Sequence, residues 1–112
     1  MEIEIRTVGS VTIFSLAGRF DAFTAPAVAD TLATATMMPP ARVVVNLEKV
    51  TFVDSTALAA LVQGMKRTRE HTGDLKLCGL QQPVRIIFEL TRLDKAFEIF
   101  SDADQAARSF AA

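Results

Sequence analysis

The run Val43-Val44-Val45-Asn46-Leu47 constrains this chain more than any other segment. Successive residues of a strand point to opposite faces, so a β-branched run that is apolar at both parities needs cover on both sides of its sheet. A chain of 112 residues has room for one such core. Half of the residues are hydrophobic, which is the composition of a globular domain. The flanking segments supply the cover, because the apolar period switches between two and 3.6 along the chain. Residues 2 to 7 alternate Glu-Ile-Glu-Ile-Arg-Thr and predict a half-exposed strand. Gly9-Ser10 separates it from a second strand at Val11-Thr12-Ile13-Phe14-Ser15-Leu16, in the manner of a two-residue hairpin. Thr24-Ala25-Pro26 then opens a helix with Val28, Ala29 and Leu32 on one face, Thr24 serving as its N-cap. Met37-Met38-Pro39-Pro40 stops it.

After the valine-rich strand comes the longest helix, which begins near Asp54-Ser55. Leu58, Leu61, Val62 and Met65 fall on its inner face, and Gly73 is placed as its C-cap. Leu75-Lys76-Leu77-Cys78 reads as a short strand. Pro83 starts a helix with Val84, Ile87 and Phe88 that runs to about Leu90. Glu98-Ile99-Phe100 is a last strand, and Asp102 with Gln105 forms the capping box of a C-terminal helix. The order ββαβαβαβα implies one α/β domain over residues 1–112. Its sheet is mixed and mostly parallel, with the first strand antiparallel to the second and helices flanking it.

Composition removes several functions. Twelve Lys and Arg against thirteen Asp and Glu give a net charge of -1, so nucleic acid is not expected as a partner. The apolar runs are far too short to insert into a bilayer, and Met1-Glu2-Ile3-Glu4 lacks the pattern of a signal peptide. Cys78 is the only cysteine, which fits a reducing compartment and a cytoplasmic protein; on its apolar strand it reads as a small buried hydrophobe. His71, the single histidine, has no neighbours at metal-ligand spacing, and is placed facing solvent in the last turn of the long helix. The five glycines are scattered and form no phosphate loop. No metal or other cofactor is expected, and no enzymatic activity.

Ligands and partners of parallel sheets dock where strand turns into helix. Two such turns stand out. One is Gly18-Arg19-Phe20-Asp21-Ala22-Phe23-Thr24-Ala25-Pro26, and the other is Phe52-Val53-Asp54-Ser55-Thr56-Ala57-Leu58. If their strands are neighbours, Asp21, Asp54 and Ser55 share one rim of the sheet. Chemistry alone makes both turns simple helix entries, since Asp, Ser and Thr are capping residues. A hydrolase built on Ser55 lacks a base, because His71 lies more than a dozen residues down the long helix. Phe20 is expected in the core. Phe23, between Asp21 and Thr24, is a candidate contact aromatic.

The span Val50-Thr51-Phe52-Val53-Asp54-Ser55-Thr56-Ala57-Leu58 resembles the signature of the STAS domain (sulfate transporter and anti-sigma-factor antagonist). Gly18-Arg19-Phe20-Asp21 with Thr24-Ala25-Pro26 resembles the first motif of that family. Gln82-Pro83-Val84-Arg85, Phe88-Glu89-Leu90-Thr91 and Leu93-Asp94-Lys95-Ala96-Phe97 resemble its C-terminal third. The resemblance implies a bacterial partner-switching protein. Its free-standing members bind an anti-sigma factor that is also a serine kinase, are inactivated by phosphorylation, and are restored by a serine phosphatase. The modified residue is the first hydroxyl after the aspartate, here Ser55, and the first-motif aspartate at the partner surface corresponds to Asp21. The expected partner surface comprises Asp21, Phe23, Thr24, Asp54, Ser55, Thr56 and Ala57. Ser55 is expected at the helix-cap position, with Thr56 one step inside. Ala57 stands where the family usually has glycine, which places its methyl at the kinase contact. Arg92 likewise stands where relatives often carry glycine. The resemblance also allows a second role, as the STAS subunit of a lipid-transport ATPase or a stress-signalling assembly without phosphorylation.

Overall fold

The computed structural model describes residues 1–110. The elements follow the order expected from the sequence: β1 (Glu2–Val8), β2 (Val11–Phe20), α1 (Ala25–Ala35), β3 (Arg42–Val53), α2 (Ser55–Glu70), β4 (Asp74–Cys78), α3 (Gln82–Leu90), β5 (Ile99–Phe100) and α4 (Ala103–Arg108). A single 3-10 turn at Leu93–Lys95 is the one addition. The strands lie in sequence order across one five-stranded sheet. β1 is antiparallel to β2, and the remaining pairs are parallel. Gly9, at φ 60, supplies the tight turn between β1 and β2.

Strands that advance steadily across a sheet by right-handed crossovers must place all their crossover helices on the same face. Accordingly α1, α2 and α3 share one core with the sheet, made by Val28 and Leu32, Leu61 and Met65, and Val84 and Phe88. Phe14, Leu16, Val43, Val45, Leu75 and Leu77 meet them from the strands. Only α4 crosses to the other face, where Ala103, Ala106 and Ala107 cover Val11, Ile13, Val44 and Cys78. The two parities of the valine run thus serve two separate cores. Lys76 also points under α4: it is buried, donates to Ser109 Oγ at 2.7 Å, and lies 4.2 Å over the Phe110 ring.

Three local expectations need correction. Thr24 is the residue before α1 but does not cap it with its side chain, since its backbone is already helical at φ -102, ψ -22. The long helix ends in a 6→1 bond from the Gly73 amide to the Thr68 carbonyl, and the left-handed residue within it is Thr72, at φ 56, rather than Gly73. Gly73 is required for space: a Cβ there would overlap the Ala41 carbonyl, which accepts from the Asp74 amide, while the Ala41 amide donates to the His71 carbonyl. His71 itself is half-buried, with Nδ1 2.8 Å from the Arg67 carbonyl oxygen. Arg92 is the other left-handed residue outside glycine, at φ 64. A side chain there meets the steric penalty that glycine escapes.

Cys78 is fully buried, and burial pushes its thiol up to about 12, with the Glu48 and Asp102 carboxylates adding to the effect. Gly73→Ala should lower stability by about 1–3 kcal/mol through overpacking, whereas Arg92→Gly should raise it by ~0.5–1 kcal/mol once the flexibility of glycine is discounted; urea midpoints test both. Thiol reagents should label native Cys78 slowly and the urea-unfolded chain quickly. Equal rates in the two states would show that the strand is not covered.

Candidate functional site

The parallel β2–β3 ladder runs from Thr12 opposite Val43 to Phe20 opposite Val53. It thereby ends both strands at the same rim. Five steps along β2, from Ser15 to Phe20, match seven along β3, from Asn46 to Val53. The extra residues fall at two irregularities, the second beside Gly18 at φ 115. Bulges of this kind bend and twist a strand pair. Above them, Arg19 faces Phe52 across the ladder and lays its guanidinium 4.0 Å over the ring.

The β2–α1 turn is built around Asp21. Its Oδ1 accepts from the amides of Phe23 at 3.0 Å and Thr24 at 3.3 Å. Its backbone carbonyl accepts from Thr24 and Ala25. Thr24 Oγ1 accepts from the Asp21 amide and donates to the Arg19 carbonyl, each at 2.9 Å. Asp21 Oδ2 lies 3.5 Å from Arg19 Nε. Desolvation pushes the Asp21 carboxyl up, but the Phe23 and Thr24 amides and the Arg19 guanidinium outweigh it, so the group sits below its ordinary value. This short network projects Phe23 into solvent with 93% of its surface exposed.

The β3–α2 turn is built around Asp54. Its backbone is extended at φ -116, ψ -177, and its side chain is the helix cap: Oδ1 accepts from the Ala57 amide at 2.9 Å. Oδ2 accepts from the Ala22 amide at 3.0 Å, across to the other turn. Asp21, Phe23, Thr24, Asp54, Ser55 and Thr56 therefore meet at one rim. Ser55 is the first residue of α2 rather than its cap, and it and Thr56 are both exposed. The Ala57 side chain does not reach this surface. It is 0% exposed and packs into the core shared by α1 and α2, because the third position of the helix faces inward once Asp54 sets the cap. A methyl at 57 therefore presents nothing to a partner.

The STAS domain family model matches residues 2–106. The chain belongs to the STAS domain family. An anti-sigma-B factor antagonist of Listeria monocytogenes is 33% identical to this STAS chain over 99 residues, covering 88% of it and 86% of the relative. The structure of an anti-sigma-factor antagonist (STAS) domain protein from Planctomyces limnophilus superposes with a TM-score of 0.90 at 25% identity, over 98% of both chains. The phosphorylated form of the Bacillus cell fate determinant SpoIIAA shares the fold at a TM-score of 0.74 and 16% identity, over 99% of this chain and 100% of the other. The anti-sigma-factor antagonists to which this chain is similar are binding proteins without enzymatic activity. No helix among its described residues is long and apolar enough to cross a membrane.

Sequence reasoning passed over the Arg19–Phe52 stack and the Ala22 amide. The stack was accessible in principle, since Arg19 and Phe52 stand two residues before Asp21 and Asp54 on adjacent strands. The Ala22 contact was not, because a backbone donor carries no sequence signal. For the carboxyl of Asp21, the depressed pKa means that the stability it lends is fully present above the ordinary value of 3.8 and is lost as pH falls through the lower folded value. The Phe23 and Thr24 amide resonances should therefore titrate with a midpoint below 3.8. A midpoint at or above that value, read by NMR, would contradict the network.

Proposed function

We propose that this STAS domain is a bacterial, cytoplasmic anti-sigma-factor antagonist that works by partner switching. In this reading it binds an anti-sigma factor that is also a serine kinase, is inactivated by phosphorylation at Ser55, and is restored by a serine phosphatase. The observation that carries the proposal is the shared rim, on which an exposed aromatic, Phe23, stands beside an exposed serine in the first turn of a helix. Aromatic anchors dominate binding surfaces. The name of the Listeria relative and the phosphorylated form of SpoIIAA support the same reading.

Electrostatics supplies the switch. Phosphoserine adds about 1.5–2 negative charges at neutral pH. Within the domain this charge is tolerated, because the amides of the first helical turn have no carbonyl partners of their own and the helix dipole favours an anion. In an interface beside Asp21 and Asp54 the same charge must be desolvated next to like charges. A penalty of roughly 2–5 kcal/mol corresponds to about thirtyfold to several thousandfold in affinity. Ser55→Ala should keep or strengthen binding to the purified anti-sigma kinase, and Ser55→Glu should weaken it, though less than phosphate does. Peptide mapping after incubation with that kinase and Mg-ATP should find Ser55 modified and Thr56 not, because the β-branched Thr56 is restricted at χ1 inside the helix. Equal affinity of the two Ser55 variants, or label that survives in Ser55→Ala, would defeat the proposal. Capture of a transporter ATPase in place of a kinase would support the non-switching subunit instead.

A further inference from the structure

The Asp54 carboxylate serves two elements at once. Oδ1 holds the start of α2 through the Ala57 amide, and Oδ2 holds the β2–α1 turn through the Ala22 amide, 32 residues away in sequence. The other side-chain bonds of that turn are local, running among Arg19, Asp21, Phe23 and Thr24. Among the described residues, Asp54 to Ala22 is the one side-chain hydrogen bond tying the turn to α2. It is also charge-assisted, which makes it stronger than a neutral bond in the same place.

We infer that Asp54 is a positioning residue: it clips the Phe23 turn to the first turn of α2, so that Phe23, Ser55 and Thr56 are presented as one preformed surface. This deepens the partner-switching reading and rests on it for the meaning of the surface, though the clip itself can be measured on the protein alone. Both Asp54 oxygens accept from amides of the domain, so it acts on the partner surface by holding the turn that carries Phe23. A partner that meets a held turn need not order the backbone that carries Phe23 on binding.

Asp54→Ser on the full chain separates the clip from the cap. Serine is as good an N-cap as aspartate and keeps an acceptor for the Ala57 amide, but its single oxygen does not reach both turns. Asp54→Asn is the second variant, with one acceptor oxygen and an NH2 group in place of the other. NMR relaxation should give Ala22 and Phe23 amide order parameters of about 0.85 in the native protein, falling towards ~0.6 in both variants. Order at Ala57 and Leu58 and the urea midpoint should change little in Asp54→Ser. Unchanged order at Ala22 and Phe23 in both variants would overturn the inference, as would equal loosening at Ala57, which would mean that only the cap had been lost. If the kinase-binding experiment fails while Ala22 loosens as stated, the clip stands and the functional reading falls.

Discussion

The parallel pairing of β2 with β3 is the constraint on which the rest depends. It brings residues 20 and 53 level, and it is closed at the rim by the Asp54 amide donating to the Phe20 carbonyl at 3.3 Å. Register in a parallel pair is set by which faces are buried, since a slip of one residue would turn each side chain to the other face. Here that slip would move Val43 and Val45 under α4 and Val44 into the larger core, exchanging sites built for different neighbours. The burial of the valine run therefore fixes the height at which Asp21 and Asp54 emerge. Core packing and site geometry are one problem in this fold.

Much of this was legible in the sequence, and the pattern of success has a physical basis. Element types and order could be read because apolar periodicity reports burial directly, as at Leu58, Leu61 and Met65. The meeting of the two turns followed from strand order alone. What escaped was chirality and contact at single residues. Gly73 looked like the left-handed cap because glycine is the usual occupant, yet Thr72 takes that conformation and Gly73 makes room for the Ala41 carbonyl. Only the neighbouring chain reveals that overlap. Ala57 is expected at the partner surface because it follows Ser55 and Thr56 in the signature, but the helix turns its side chain inward. Ala57 stands one helical turn before Leu61, on the buried face that continues through Gly64 and Thr68.

The two aspartates of the rim illustrate different uses of one functional group. Asp21 folds its turn on itself, accepting from two amides within three residues and pairing with Arg19. Asp54 spends its oxygens on two separate elements. Two amide bonds from separate elements fix where the Asp54 carboxylate stands. The two aspartates thus hold the backbone of the rim, while the side chains of Phe23, Ser55 and Thr56 stand exposed on it.

Under the proposed switch, that division lets Ser55 be modified at the start of the longest helix without putting the fold at risk. Capping is worth about 1 kcal/mol to a helix. Had Ser55 been the cap, a phosphate on its hydroxyl would have replaced the group that satisfies the third amide of the helix, and modification would have been coupled to folding. Because Asp54 takes that role, the Ser55 hydroxyl is released from structural duty while still standing at the end of the helix dipole, where a negative charge is favoured. The residue that stabilises the helix and the residue that can be altered are adjacent but distinct. Any change at Ser55 therefore falls on what the domain binds rather than on whether it folds.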